Sequence, residues 1–188
     1  MTRQEWIDGV FTESETDYRI AGMNILYKKE KEYLKRGVAL LCDKLSPTSV
    51  LEFGFGKGWT ATEFQKQGVT RHVILEPNKE NYKMALNWKD NYNTNIDIVN
   101  VFSWEFDTNE RFDLVYDDRL EAVSHDNHSY DKHDEQMKNI LPIKQWYSGN
   151  AIPCNDRRLS DYPIFFEING INYVQDLSKY GEYKPWQA

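Results

Sequence analysis

The sequence predicts a single α/β domain, with a mostly parallel sheet, helices on both faces and an antiparallel hairpin near the C-terminal end. Three observations carry this. Short apolar runs at 49–53, 72–76, 96–102 and 112–116 alternate with helix-length segments, as parallel strands joined by right-handed crossovers do. The run YPIFFEINGINYVQDL (162–177) breaks at Asn169-Gly170, a dipeptide suited to the positive φ angles of a tight hairpin turn. The 188 residues show no repeat or linker, and that length buries one core without disulfide or metal staples.

Each element then has its own signal. Residues 1–22 mix aromatics (Trp6, Phe11, Tyr18) with acids and read as a partly ordered arm. A helix is expected from Met23 to Leu45, because Leu26, Tyr33, Val38, Leu41 and Leu45 fall near one helical face and Ser46-Pro47 stops it. SVLEF (49–53) is the first strand of the alternating pattern, followed by a helix over Trp59–Gln67. HVILE (72–76) is the second strand, with a helix from Lys79 to Trp88 after it. IDIVNVF (96–102) and FDLVY (112–116) are the third and fourth strands. Residues 117–135 are polar and irregular, and a short helix is expected at Glu135–Leu141. A fifth strand is expected near Ala151–Cys154, ahead of the hairpin.

Composition excludes several classes of function. Lys and Arg total 23 against 30 for Asp and Glu, a formal net charge of -7, which opposes binding to a phosphate backbone. Two cysteines, Cys42 and Cys154, are too few for a secreted disulfide scaffold and point to a reducing compartment. Cys42 lies on the helix stripe as a core residue, and nothing near Cys154 would activate a thiolate. No apolar run reaches transmembrane length, and the N-terminal residues lack a signal-peptide core. A cytoplasmic protein with no membrane or nucleic-acid partner is therefore expected.

The informative segment is VLEFGFGKGWTA (50–61), a strand running into Gly54, Gly56 and Gly58 and then straight into a helix. Glycines let the backbone turn sharply and pass close to a ligand, and the helix N-terminus offers free N–H groups. Dinucleotides and S-adenosylmethionine are both bound by such loops. The dinucleotide fingerprint places its third glycine one residue later than here. Glu76, 22 residues after Gly54, suits either ligand, since an acid at the second strand end accepts ribose hydroxyls. A loop that only makes a tight turn is the bland alternative, against which loop, strand and downstream acid agree in register.

An acid followed by G-x-G-x-G after the first strand resembles the first motif of the class I S-adenosylmethionine-dependent methyltransferases, and LEFGFGKG fits it. Within that family the stretches EFGFGKGWTA, VILEPN (73–78), FSWEFD (102–107) and FDLVYDD (112–118) are similar to the guanidinoacetate methyltransferases, relatives of the arginine methyltransferases. The resemblance implies a Rossmann-like fold and S-adenosylmethionine as cofactor. It also implies roles for individual residues. Glu76, with Pro77 and Asn78 beside it, would take the ribose, and Phe102 and Ser103 would frame the adenine. Glu52, Gly54, Phe55, Gly56 and Gly58 would form the cofactor loop, and Asp117 would sit beside the methionine part or the acceptor. Met23 falls where the family often has a Y-M pair covering the cofactor, and Trp59 either covers it or packs in the core. The chain then divides into an arm (1–22), a cofactor-binding half (23–118) and an abbreviated substrate half (119–188), in which NILPIKQWYSGNAIPCN only faintly echoes the family's later turn and strand.

Asp117 and Asp118 lie past the carboxyl end of a parallel strand, where open α/β sheets bind ligands. Seven acids and two fixed bases fall between 117 and 135. A carboxylate beside an amine or guanidine can pair with the cation, align it and accept its proton. Asp117 is thus the expected catalytic or orienting group, with Asp118 and Glu121 as helpers and a small cationic amine or guanidine as acceptor. His125, His128 and His133 offer another general base, but their spacing matches no defined metal site, and no metal is expected. The D/N-P-P-[YFW] motif of base-directed nucleic-acid methyltransferases is absent, YDDRLE standing in its place. Two alternatives stay open: a cofactor-binding protein without turnover, acting as a sensor, and an NAD-type oxidoreductase. The short substrate half and exposed hairpin also raise a homodimer as a way to complete the acceptor wall.

Overall fold

Five parallel strands make the central sheet of the computed structural model, which describes residues 1–106, 108 and 110–117 and the strands 146–148, 165–168, 171–175 and 183–185. The chain opens with helix α1 (Arg3–Ile7), closed by a capping box between Thr2 and Glu5. Strands β1 (Phe11–Glu13), β2 (Asp17–Ile20) and β3 (Met23–Tyr27) then form an antiparallel meander. A helical turn over 28–30 leads into α2 (Lys31–Leu45).

This corrects the expected helix over 23–45, whose first eight residues are strand and turn, and places a helix and a meander in the segment expected as an arm. The reason is the turn between β2 and β3. Ile20 pairs with Met23, so Ala21 and Gly22 alone turn the chain, at φ 49° and 79°. Two consecutive positive φ values are those of a type I′ hairpin turn, which ends any helix there. Tyr33, Val38 and Leu41 do share the buried face of α2, but Leu26 belongs to the meander.

Next come β4 (Ser49–Phe53), α3 (Trp59–Lys66), β5 (Arg71–Leu75), α4 (Lys79–Lys89), β6 (Asn95–Val99) and β7 (Leu114–Asp117). The fifth parallel strand, β8, is Trp146–Ser148, upstream of the expected 151–154, which lie outside the described residues, as does the expected helix at 135–141. The sheet order is β6-β5-β4-β7-β8, all parallel, and the strands β9 (Phe165–Ile168), β10 (Ile171–Gln175) and β11 (Tyr183–Pro185) form a separate antiparallel sheet. Ile168 pairs with Ile171, so β9 and β10 are joined through residues 169–170, as expected, and β11 adds a third strand.

Side chains alternate across the sheet. Val50, Leu114 and Tyr116 face α2 and α3, where Val38, Leu41, Phe64 and Val69 cover them. Ile74 on the same face meets Phe55, Ala61 and Ala85 of the loop, α3 and α4. Leu51, Phe53, Val73, Leu75 and Val115 point the other way and pack with Phe112 and with Val101 and Phe106 of the connection after β6. Among the described residues no helix is long and apolar enough to cross a membrane.

Candidate active site

Sheet order decides where a ligand can sit. β4 stands between β5 and β7, the point where the order of connections reverses, and such switch points open a crevice at the carboxyl ends of the strands. Phe53 pairs with Leu75 on one side and Asp117 on the other. The next residues of β4 and β5 are therefore Gly54 and Glu76, and Asp117 ends β7 beside them. A cleft opens here, with about 950 Å3 of open space including its mouth.

The glycine loop is shaped by left-handed backbone. Gly54 and Gly56 have φ 85° and 54°, and a Cβ on Gly54 would meet no protein atom within 4 Å. Gly58, at φ 66°, caps α3, and the Phe55 ring lies 2.6 Å from where its Cβ would stand. Phe55 thus turns its ring into the core against Trp88 (centroids 5.5 Å apart) and leaves its backbone at the cleft.

Glu76 is the buried hub. Its Oε2 accepts from the backbone N–H of Phe55 at 3.0 Å and the amide of Asn81 at 2.7 Å, and its Oε1 accepts from the backbone N–H of Asn78 at 2.9 Å. Burial pushes its carboxyl up from the ordinary value, against these donors, which favour the charged form. The side-chain amide of Asn100 donates to the Glu76 carbonyl at 2.7 Å, fastening this turn to the end of β6.

The second cleft acid, Glu52, is fully buried on β4. Thr60 Oγ1 donates to its Oε1, and His72 Nε2 of β5 stands 2.9 Å from its Oε2. At the other end, Phe102 stacks on Trp104 at 4.3 Å and Ser103 is buried beside them.

Of the expected cofactor residues, Glu52, Gly54, Phe55, Gly56 and Trp59 line the cleft from the first crossover, and Glu76, Pro77, Phe102 and Ser103 from the next two strand ends. Three others stand back from it. Met23 packs in the cluster around Trp6, Ile20 and Phe102, and Gly58 is a helix cap under Phe55. Asn78 is a strut: its Oδ1 caps α4 by accepting from Asn81, and its Nδ2 donates to the carbonyls of Trp6 and Gly9, both at 2.8 Å. Asp117 is described by its backbone, and Asp118, Glu121 and the three clustered histidines lie outside the described residues.

The N-terminal segment contributes a wall that sequence reasoning missed. Trp6, Ile20, Ile25 and Leu26 line the cleft, with Leu34 of α2. Lys57 lines it too, its ammonium 5.0 Å from the ring centre of Tyr18 and 5.4 Å from that of Phe11. The available signal was Ala21-Gly22 between two β-prone runs, a hairpin read instead as the approach to a helix.

The cleft suits a nucleoside with a polar tail. The indole Nε1 of Trp6 and Oδ1 of Asn81 are buried on lining residues without a hydrogen-bond partner, and orphaned groups of this kind call for a polar ligand. Open space above Gly54 leaves room for a ligand to approach the backbone.

Comparison with known proteins bears on the fold and the family. The N-methyltransferase NodS from Bradyrhizobium japonicum WM9, in complex with S-adenosylhomocysteine, is 16% identical over 74% of this chain and 78% of its own, with a TM-score of 0.58. A 1,6-didemethyltoxoflavin N1-methyltransferase from Burkholderia thailandensis, with 1,6-didemethyltoxoflavin and S-adenosylhomocysteine bound, is 15% identical over 75% of this chain and 59% of its own, with a TM-score of 0.50. Spermidine synthase from Thermotoga maritima is 16% identical over 86% of this chain and 67% of its own, with a TM-score of 0.53. At such identities the likeness is one of fold. No curated protein matches the chain. The model of the guanidinoacetate N-methyltransferase family, however, matches residues 2–144, well over half of the sequence, and the chain therefore belongs to that family of S-adenosylmethionine-dependent methyltransferases.

Proposed function

We propose that the protein transfers a methyl group from S-adenosylmethionine to the nitrogen of a small amine or guanidine in the cytoplasm. One observation carries the reading: the glycine loop and Glu76 line one cleft at the carboxyl ends of adjacent parallel strands, and Asp117 ends the strand next to them. When bound, the cofactor supplies a methyl group on a sulfonium, open to in-line displacement by a nitrogen lone pair. Glu76, held by the donors of Phe55, Asn78 and Asn81, presents its carboxylate to a ribose hydroxyl. Phe102, Ser103 and Trp104 flank the adenine. The loop from Gly54 to Gly58, with Glu52 beneath it, receives the amino-acid end. Trp6, Ile20 and Leu26 shut out water, which sharpens the electrostatics inside.

Asp117 is assigned to the acceptor. A carboxylate there pairs with the protonated nitrogen, accepts its proton and so frees the lone pair, and holds that lone pair in line with the sulfonium methyl. Asp118 is assigned as its helper. A second copy of the chain is included in the proposal as a completing wall for the acceptor, to be tested by light scattering.

The experiment is a labelled-methyl assay against a panel of amines and guanidines, with calorimetry for S-adenosylhomocysteine and NAD. Methyl transfer to a nitrogen acceptor, reduced in Asp117→Asn with cofactor affinity retained, supports the assignment. Cofactor binding without turnover on any acceptor points to a sensor, and NAD binding alone overturns the reading.

A further inference from the structure

The buried histidine behind the cleft has a place in ligand recognition. His72 lies in the middle of the sheet with its side chain fully buried, and so does Glu52, the acid it faces. A chain of polar groups fixes the ring. Thr94 Oγ1 donates to Oε1 of Gln65, which identifies the other end of that amide as the donor toward Nδ1 of His72, 3.2 Å away. Nδ1 is then the acceptor and Nε2 carries the ring proton. That Nε2 stands 2.9 Å from Oε2 of Glu52, although neither atom has an aligned hydrogen-bond partner. Oε1 of the same carboxylate accepts from Thr60.

Among the described residues, the groups around Glu52 are therefore dipoles. A buried carboxylate is poorly compensated by a hydroxyl and a neutral imidazole alone. Among the described residues, the one lysine lining the cleft is Lys57, its ammonium over the rings of Tyr18 and Phe11. The missing partner is a cation from the ligand, and S-adenosylmethionine carries an α-ammonium on the part expected over the glycine loop.

We infer that His72 is a positioning residue, held in one tautomer by Gln65, that keeps the Glu52 carboxylate aimed at the α-ammonium of the cofactor. This rests on the cofactor placement proposed above. His72 touches no ligand. The ring stands against Oε2 at 2.9 Å and holds the carboxylate in place by that contact, leaving the remaining acceptor positions of Glu52 for the ammonium.

The test compares two probes by calorimetry on the full chain: S-adenosylhomocysteine, which has the ammonium, and 5′-methylthioadenosine, which lacks the whole amino-acid part. His72→Leu should lower affinity for the first by about tenfold, the scale of one hydrogen bond to a charged group, and leave the second within about twofold. His72→Gln, whose amide can place a donor near the old Nε2, should recover most of the loss. Equal losses for both probes, or a folded His72→Leu with unchanged affinity for S-adenosylhomocysteine, overturn the inference. If His72→Leu fails to fold, Gln65→Leu removes the tautomer hold from a half-buried site. It should cost about threefold for S-adenosylhomocysteine alone, on the scale of one neutral hydrogen bond, and a loss shared by both probes, or none, counts against the inference. Wild-type protein that binds neither probe sinks the cofactor placement itself, a result distinct from these.

Discussion

The backbone N–H of Phe55 donates to Oε2 of Glu76 at 3.0 Å, so the glycine loop after β4 is closed onto the acid that follows β5. The donors around Glu76, from Phe55, Asn78 and Asn81 among them, all need an acceptor. In Glu76→Gln the amide nitrogen must face either the Asn78 N–H or the pair from Phe55 and Asn81, donor against donor. The expected loss is about 1–3 kcal/mol in cofactor binding, read by calorimetry. A pH signature accompanies it. Burial raises the Glu76 carboxyl above its ordinary value of 4.5, so the folded state holds that proton more tightly than the unfolded chain. Stability of the ligand-free protein should thus fall as pH rises from about 4.5 through the raised value, and the slope should flatten in Glu76→Gln. Urea melts across that range check the sign.

Asn78 couples the turn after β5 to the N-terminal wall. Asn78→Asp retains the acceptor that caps α4 but loses both donors to the carbonyls of Trp6 and Gly9. Two buried carbonyls then face a carboxylate, at about 1–3 kcal/mol in stability. The surface ion pairs Lys79–Asp8 and Arg3–Glu105 cannot make up the difference, since exposed pairs contribute little. Hydrogen exchange should speed up over residues 3–20 first, and cofactor affinity should drop as Trp6 and Ile20 loosen. Unchanged exchange there would mean the wall is held by its apolar contacts alone.

The glycine loop and the strand ends around it were legible because their signals are local. Gly54, Gly56 and Gly58 between a strand and a helix, and Glu76 at the next strand end, state their geometry within a few residues. The N-terminal wall was not, because its determinants are tertiary. Trp6 is buried by Ile20 and Phe102, and Asn78 reaches back 72 residues to the Trp6 carbonyl. The start of α2 has no side-chain cap, so nothing in KKEKEY marked a boundary at Lys31. The Glu52–His72 pair was hidden for the same reason. Each reads as an ordinary strand residue until β4 and β5 are set in parallel register.

The glycines of the loop should separate by function. Alanine at Gly54 or Gly58 takes a left-handed backbone at about 1–2 kcal/mol. At Gly58 the new Cβ also meets the Phe55 ring, 2.6 Å away and packed against Trp88, which adds about 1–3 kcal/mol of overpacking. At Gly54 it meets no protein atom. Gly58→Ala should therefore show the larger fall in urea midpoint. Gly54→Ala should show the larger loss of cofactor affinity relative to its stability change. Parallel losses in both variants would contradict the view of Gly58 as a packing position.

Asp17 gives the meander its own acid sensitivity. Its carboxylate accepts from Arg19 Nε at 2.9 Å and Nη2 at 3.1 Å, and from Ser14 Oγ at 2.8 Å. The Arg19 guanidinium, with Ser14 behind it, holds the carboxyl down at about 2, below its ordinary value of 3.8. A depressed carboxyl binds its proton less tightly in the folded state, so its contribution is complete above the ordinary value and lost as pH falls through the folded one. Between about pH 4 and pH 2 the meander should loosen. The rings of Tyr18 and Trp59, 5.8 Å apart at its edge, report this through tryptophan fluorescence. Asp17→Asn should start from lower stability and show a shallower acid dependence over the same range. An equally steep decline in that variant would assign the acid sensitivity to other carboxylates.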